Sequence, residues 1–167
     1  LFYSVVISLF FLACTKSIPE DAVLQESIVS ISPDYTNLVI PNNIAPLNFN
    51  IKEEADDYLT VIYSAKGKKV ITEGKKVELN LKDWKSLLAE NRGDTIYTEI
   101  YLKKNNQWLK YPPLKNFIAE EEIDSYISYR LIEPSYVTYE VMTINQRNLS
   151  NFEEKVIFDN TLLSSGN

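Results

Sequence analysis

Cys14 is the only cysteine in the chain, and it stands directly behind an apolar run, LFYSVVISLFFLA, whose only polar residues are Ser4 and Ser8. The run is too short to cross a bilayer, which takes about 20 apolar residues, but it matches the roughly 7–15-residue core of a secretory signal. Leu-Ala-Cys, with the small Ala13 before the thiol, has the form of a bacterial lipobox, although Phe11 stands where that motif prefers Leu. On this reading residues 1–14 are a lipoprotein signal segment and Cys14 becomes the first mature residue, its sulfur carrying the lipid. The protein would then be anchored in the membrane of the cell envelope, facing the periplasm or the cell surface. The rival reading is a buried strand with a core cysteine. The polar stretch from Thr15 to Glu26 favours the lipobox. No Met and no basic segment precede the run, so the chain reads as cut at its front.

Other familiar chemistries lack their residues. The sequence contains no His, which excludes Ser-His-Asp and Cys-His catalysis, imidazole metal ligation and imidazole proton transfer within this chain. One cysteine cannot make a disulfide framework, a cysteine zinc site or a haem-attachment motif. The expectation is therefore no enzyme, no metal site and no cofactor held by this chain. Carboxylates cluster at Glu53-Glu54, Asp56-Asp57 and Glu120-Glu121-Glu122. A glycosidase needs two carboxyls about 5–9.5 Å apart across a cleft, whereas neighbours along a strand point to opposite faces, so these read as solvated acidic loops. NRGD is too short for a calcium loop. The net charge is -6, with 17 Lys and Arg scattered among 23 acids, which argues against a nucleic-acid partner.

Binding rather than reaction is what the remaining residues offer. Trp84, Trp108 and Tyr111 could form an aromatic platform for a sugar or peptide. Trp108, between Gln107 and Leu109-Lys110, suggests a partly exposed edge and is the better stacking candidate, with Tyr111 beside it. Trp84 belongs more simply to a helix face with Leu87 and Leu88. Arg130 and Arg147 stand among apolar and aromatic neighbours and are candidates for an interdomain surface, where a planar guanidinium pairs with carboxylates or stacks on rings. Glu133 and Glu140 lie near them in sequence.

The elements that must position these residues follow from periodicity. Residues 15–45, interrupted by Pro19, Pro33 and Pro41, read as a linker. Residues 46–115 read as an immunoglobulin-like β-sandwich in an all-β chain with 11 Tyr and 7 Phe. PLNFNI alternates Leu47, Phe49 and Ile51 against Asn48 and Asn50, DYLTVIYS continues, and KVIT with KVELNL flank Gly74 as a hairpin. Trp84, Leu87 and Leu88 then share a helix face ahead of Gly93. DTIYTEIYLKKNNQWLKY gives two strands about Asn105-Asn106, with Ile96, Ile100 and Leu102 set against Tyr97 and Tyr101. Strand, short helix and Asp-x-x-Tyr follow the layout of an immunoglobulin E-to-F crossing, with Tyr97 as corner tyrosine. Leu79, Leu81, Trp84, Leu87 and Ile100 are the expected core. Residues 116–167 carry many aromatics and few turn signals, and read as an extended docking segment leading to a C-terminal domain absent from this sequence.

That last segment carries a resemblance. IDSYISYRLIEPSY followed by INQRNLSNFEEKVIFDN, together with PNNIAPLNFNIKEEAD, resembles the N-terminal region of lipoproteins from Bacteroidetes that bear a TolB-type, WD40-like β-propeller. The resemblance covers about residues 35–163. In that family the matching run leads into a Cys-x-x-Cys-His segment, similar to a c-type haem site, and then into propeller blades. This sequence stops before both and reads as a fragment or a truncated relative, so no haem role passes to its residues. The combined expectation is a lipid-anchored binding or scaffold domain of the envelope. Its partners would be the membrane, a downstream domain of the same chain, and a glycan or envelope protein. Two alternatives stand: a carbohydrate-binding module for glycan uptake, and the non-catalytic part of an enzyme or electron-transfer protein whose active site lies further on.

Overall fold

The computed structural model describes residues 17–130 and 142–160. Among these residues the chain forms thirteen strands and one helix, arranged in three sheets. The fold is mainly β: two sheets face each other as a sandwich with one short helix, and a three-stranded meander follows.

The larger sheet contains β1 (Val23–Leu24), β3 (Val39–Ile40), β5 (Asp57–Tyr63), β6 (Val70–Glu73), β8 (Thr95–Lys104), β9 (Gln107–Lys110) and β10 (Leu114–Ile118). β8 is its spine. Along one edge it pairs antiparallel with β5, Tyr63 opposite Tyr97 and Asp57 opposite Lys103, and β6 extends the sheet beyond β5. Along its other edge it pairs with β9 at one end and β10 at the other. Pro112 and Pro113 lie between these two strands, because proline cannot donate to a ladder. β1 and β3 add in parallel to β9 and β10. The smaller sheet contains β2 (Ile31–Ser32), β4 (Phe49–Ile51) and β7 (Lys76–Val77).

Strand alternation divides the larger sheet into two faces. Tyr58, Ile62, Ile96, Ile100, Leu102, Leu114 and Ile118 point inward against Ile31, Phe49, Ile51 and Val77 of the smaller sheet. Helix α1 (Leu81–Glu90) carries the chain from the smaller sheet to the larger one. Asn80 caps it, its side chain accepting from the N–H groups of Lys82 and Asp83 at 2.9 and 3.2 Å. Trp84, Leu87 and Leu88 are buried in the core, and the Trp84 indole N–H donates to the Ile44 carbonyl at 3.0 Å. Asn91, fully enclosed beyond the helix, donates to the carbonyls of Leu87 and Lys66 and accepts from the Lys66 N–H, so the helix end is tied to the β5–β6 loop. The β8–β9 turn is made by Asn105 and Asn106, both with positive φ (49° and 64°), as a tight two-residue hairpin requires.

The meander is β11 (Tyr126–Arg130), β12 (Thr143–Asn148) and β13 (Glu154–Asp159), antiparallel throughout. It hangs from the segment Pro41–Pro46. Asn42 donates to the carbonyls of Ala119, Glu120 and Glu121 at 3.2, 2.7 and 3.0 Å. Asn43 both donates to and accepts from the backbone of Ile123, at 2.8 and 3.0 Å. The Ala45 N–H reaches the Leu149 carbonyl at 2.7 Å.

Several expectations are corrected here. The stretch 15–45 is not only linker: it supplies β1, β2 and β3 and buries Val29, Ile31 and Ile40 in the core. Its strands are two residues long, too short to show a period. KVIT and KVELNL do not pair as a hairpin. β6 joins β5 and β7 joins β4, so Gly74, at φ 95°, turns a corner between sheets. The sandwich runs past residue 115, since β10 extends to Ile118 and pairs with both β8 and β3. Leu81, the first helical residue, stays 36% exposed while Leu79, Trp84, Leu87 and Ile100 are buried. Tyr97 lies on the outer face of β8 and stacks on Tyr63, so it does not act as a corner tyrosine.

Leu87→Ala should destabilise the chain by about 2–5 kcal/mol, the range for large-to-small core changes. Leu81→Ala should change it by less than ~0.5 kcal/mol, as for surface positions. Urea unfolding of the two variants checks the pair; similar losses would contradict this packing.

Candidate functional site

The outer face of the larger sheet is where polar chemistry collects. Cross-strand register sets Tyr63 beside Tyr97, Val61 beside Glu99, Leu59 beside Tyr101, and Tyr101 beside Lys110. Leu59, Val61 and Tyr101 form a second apolar cluster on this face, flanked by Tyr63 and Trp108 and covered in part by Ile18 and Ala22. Glu99 sits at the centre. Its carboxylate accepts from the hydroxyls of Tyr63 and Tyr101 at 3.0 and 2.8 Å and pairs with the Lys110 ammonium at 2.9 Å. Lys110 lies 5.5 Å from the Tyr101 ring centroid, and Lys69 lies 5.3 Å from that of Tyr63. The Tyr63 and Tyr97 rings stack with centroids 5.5 Å apart.

The electrostatics follow from that geometry. Burial pushes the Glu99 carboxyl up, but hydrogen bonds from Lys110, Tyr101 and Tyr63 outweigh it and hold the group below its usual range. The hydrogen bond to Glu99 lifts Lys110 above the usual ammonium value, and burial together with Glu99 lifts Tyr101 and Tyr63. A general base needs a free lone pair and a pKa raised toward the working pH. Glu99 has the opposite environment, three donors and a lowered value, and its work is to hold the face together. What the face presents outward is half-exposed aromatic surface from Tyr63, Tyr97 and Trp108.

The residues singled out from sequence fall in different places. Trp108 lies on the outer face, half-buried against the second cluster. Tyr111 is 7% exposed and belongs to the inner core, so it is not available for stacking and the two do not form one platform. Three residues apart on one extended segment, they fall on opposite faces. Trp84 is core. Arg147 lines a cleft of about 320 Å³ where the meander meets the sandwich, beside Tyr35, Pro46, Leu47 and Phe152, and its guanidinium lies 5.2 Å from the Phe152 ring centroid. Arg130 is exposed at the end of β11. Cys14, Glu133 and Glu140 lie outside the described residues.

The acidic clusters are committed locally. Glu53 accepts from the Ser30 N–H at 2.7 Å, Glu54 pairs with Lys75, Asp56 accepts from the Asn105 N–H at 3.0 Å, and Glu122 pairs with Arg92 at 3.0 Å. Among the described residues no three His, Cys, Asp or Glu side chains converge as a metal site, and no helix is long and apolar enough to cross a membrane. Glu99, Lys110 and Tyr63 are the residues that sequence reasoning missed. Their signal was the alternation of β8, which sets Tyr97, Glu99 and Tyr101 against Ile96 and Ile100.

No family model, curated protein or solved structure matches the chain.

The linked groups make a pH prediction. Because Glu99 is lowered in the folded state, its contribution is complete above the unfolded value of about 4.3 and is lost as pH falls through the folded value. Lys110 and Tyr101 are raised, so theirs is complete below about 10 and is lost at higher pH. The stability gap between the native chain and Glu99→Gln should be widest near neutral pH and shrink below pH ~4. Thermal melts across that range check it; a gap independent of pH would contradict the assignment.

Proposed function

We propose that this chain is a lipid-anchored binding or scaffold domain of the bacterial cell envelope, tethered through Cys14 and acting by docking other surfaces rather than by catalysis. The observation that carries the docking role is the meander. Tyr126, Ile127, Val156 and Ile157 are about half exposed, between 48 and 56%. Register puts Tyr126 and Ile127 on opposite sides of the meander, with Val156 on the side of Ile127. Three strands with apolar residues facing solvent on both sides have more to bury than the sandwich takes from them. The occupant proposed is a further domain of the same polypeptide, in keeping with the resemblance to the propeller-bearing lipoproteins. Arg147, at the root of the meander, fits a position between two such bodies.

A carbohydrate-binding role is the second reading, and one observation favours it. The stacked Tyr63–Tyr97 pair and Trp108 lie on one sheet face, and flat aromatic surface on a rigid sheet suits sugar rings. Its share of exposed surface is smaller than the meander's, which ranks it below docking.

Photo-crosslinking amino acids at Ile127 and Val156, introduced into the protein in its native envelope, test the proposal. Each should give a discrete crosslinked product, while the same probe at Lys85 on the exposed side of α1 should not. Absence of any product at both meander positions would overturn the docking role.

A further inference from the structure

We infer that the outer face of the larger sheet lies against the lipid bilayer, held there by a tether too short to reach the helix side. This rests on the proposed lipidation of Cys14. By Ile18 the described chain already lies on the domain. Ile18 and Ala22 pack on Leu59, Val61 and Tyr101 of the outer face, and β1 then pairs in parallel with β9 at Leu109 and Lys110. Only four peptide steps separate Cys14 from Ile18, a reach of at most ~14 Å. The sandwich is thicker than that: its two sheets alone stand about 10 Å apart, with a side-chain layer outside each. A lipid on Cys14 therefore cannot pass round to the helix side. The outer face, or the edge formed by β1, must meet the bilayer.

The exposed chemistry of that face suits an interfacial location. Leu24, Val39 and Phe117 are 74, 71 and 43% exposed, and register places them on the outer side with Lys110, Phe117 and Thr95 respectively as neighbours. Tyr63, Tyr97 and Trp108 add amphipathic rings, which favour the headgroup region. Lys115 stands opposite Tyr97 and Lys69 lies over the Tyr63 ring, two long side chains within reach of phosphate from that face. The central acid of the face, Glu99, is already neutralised by Lys110. Two further acids lie on this face, Asp57 in the cross-strand row of Trp108 and Glu73 in that of Leu24, away from Tyr63, Tyr97 and Lys115.

The test uses the lipidated full chain in vesicles of phosphatidylethanolamine and phosphatidylglycerol containing a nitroxide-labelled lipid. With Cys14 acylated, a fluorophore reacts only with an introduced thiol, placed in separate variants at Val39→Cys, Phe117→Cys and Lys85→Cys. Quenching is expected at positions 39 and 117 and not at 85. A flexible Gly/Ser insert of about 20 residues after Lys16, with a typical span of ~25 Å, should reduce the difference by releasing the tether constraint. Equal quenching at all three positions, or none at any while the protein still floats with the vesicles, overturns the orientation alone. Failure of the protein to float, with no difference from Cys14→Ala, overturns the lipidation reading and the orientation with it.

Discussion

Two adjacent asparagine side chains fix where everything after β10 can go. Asn42 is 5% exposed and spends its amide N–H groups on three successive carbonyls, Ala119 to Glu121, as the chain leaves the sheet. Asn43 mimics a strand neighbour, giving and taking one hydrogen bond with Ile123. The next two residues continue the joint, Ile44 to the Trp84 indole and Ala45 to Leu149. One short segment thus holds the helix, the exit from the larger sheet and the root of the meander. A net hydrogen bond contributes only about 1 kcal/mol, but a buried polar group left unpaired costs about 1–3 kcal/mol, so the buried Asn42 amide makes the joint specific.

The two faces of the larger sheet divide the labour. The inner face is a largely apolar core, closed by the smaller sheet and by Trp84, Leu87 and Leu88 of the helix. The outer face mixes Leu59, Val61 and Tyr101 with a saturated Tyr–Glu–Lys network, so it stays ordered without a covering sheet. Such a face can lie against a headgroup layer or a ligand without rearranging. On the meander Tyr129 bonds Glu154 close to Arg147, while Tyr126, Ile127, Val156 and Ile157 stay about half exposed.

Much of this was legible wherever burial is local. Leu47, Phe49 and Ile51 alternate as a half-buried strand does, and Trp84, Leu87 and Leu88 share a helix face, because each pattern repeats within a few residues. What was illegible depends on distant partners. Val39 and Ile40 look like linker until they pair with Phe117 and Ile118. The Gly74 turn looks like a hairpin, because a two-residue β7 carries no mark of which sheet it will join. Asn42, Asn43, Asn48, Asn91 and Asn116 carry no mark of their partners in the sequence, yet each ties the backbone of another element, at separations of up to 80 residues. The outer-face network escaped for a related reason: Glu99, Lys110 and Tyr63 become a site only after three strands are set side by side.

The central claim is that the Asn42–Asn43 joint positions the meander independently of the sandwich core. Hydrogen exchange on Asn43→Ala, residue by residue, tests it most directly. The account predicts that amides of β11 and β12 exchange about 10- to 100-fold faster, the equivalent of roughly 1–3 kcal/mol of lost anchoring, while those of Leu59–Ile62 in β5 are unchanged. Unchanged protection in the meander, or an equal loss in both regions, would contradict it.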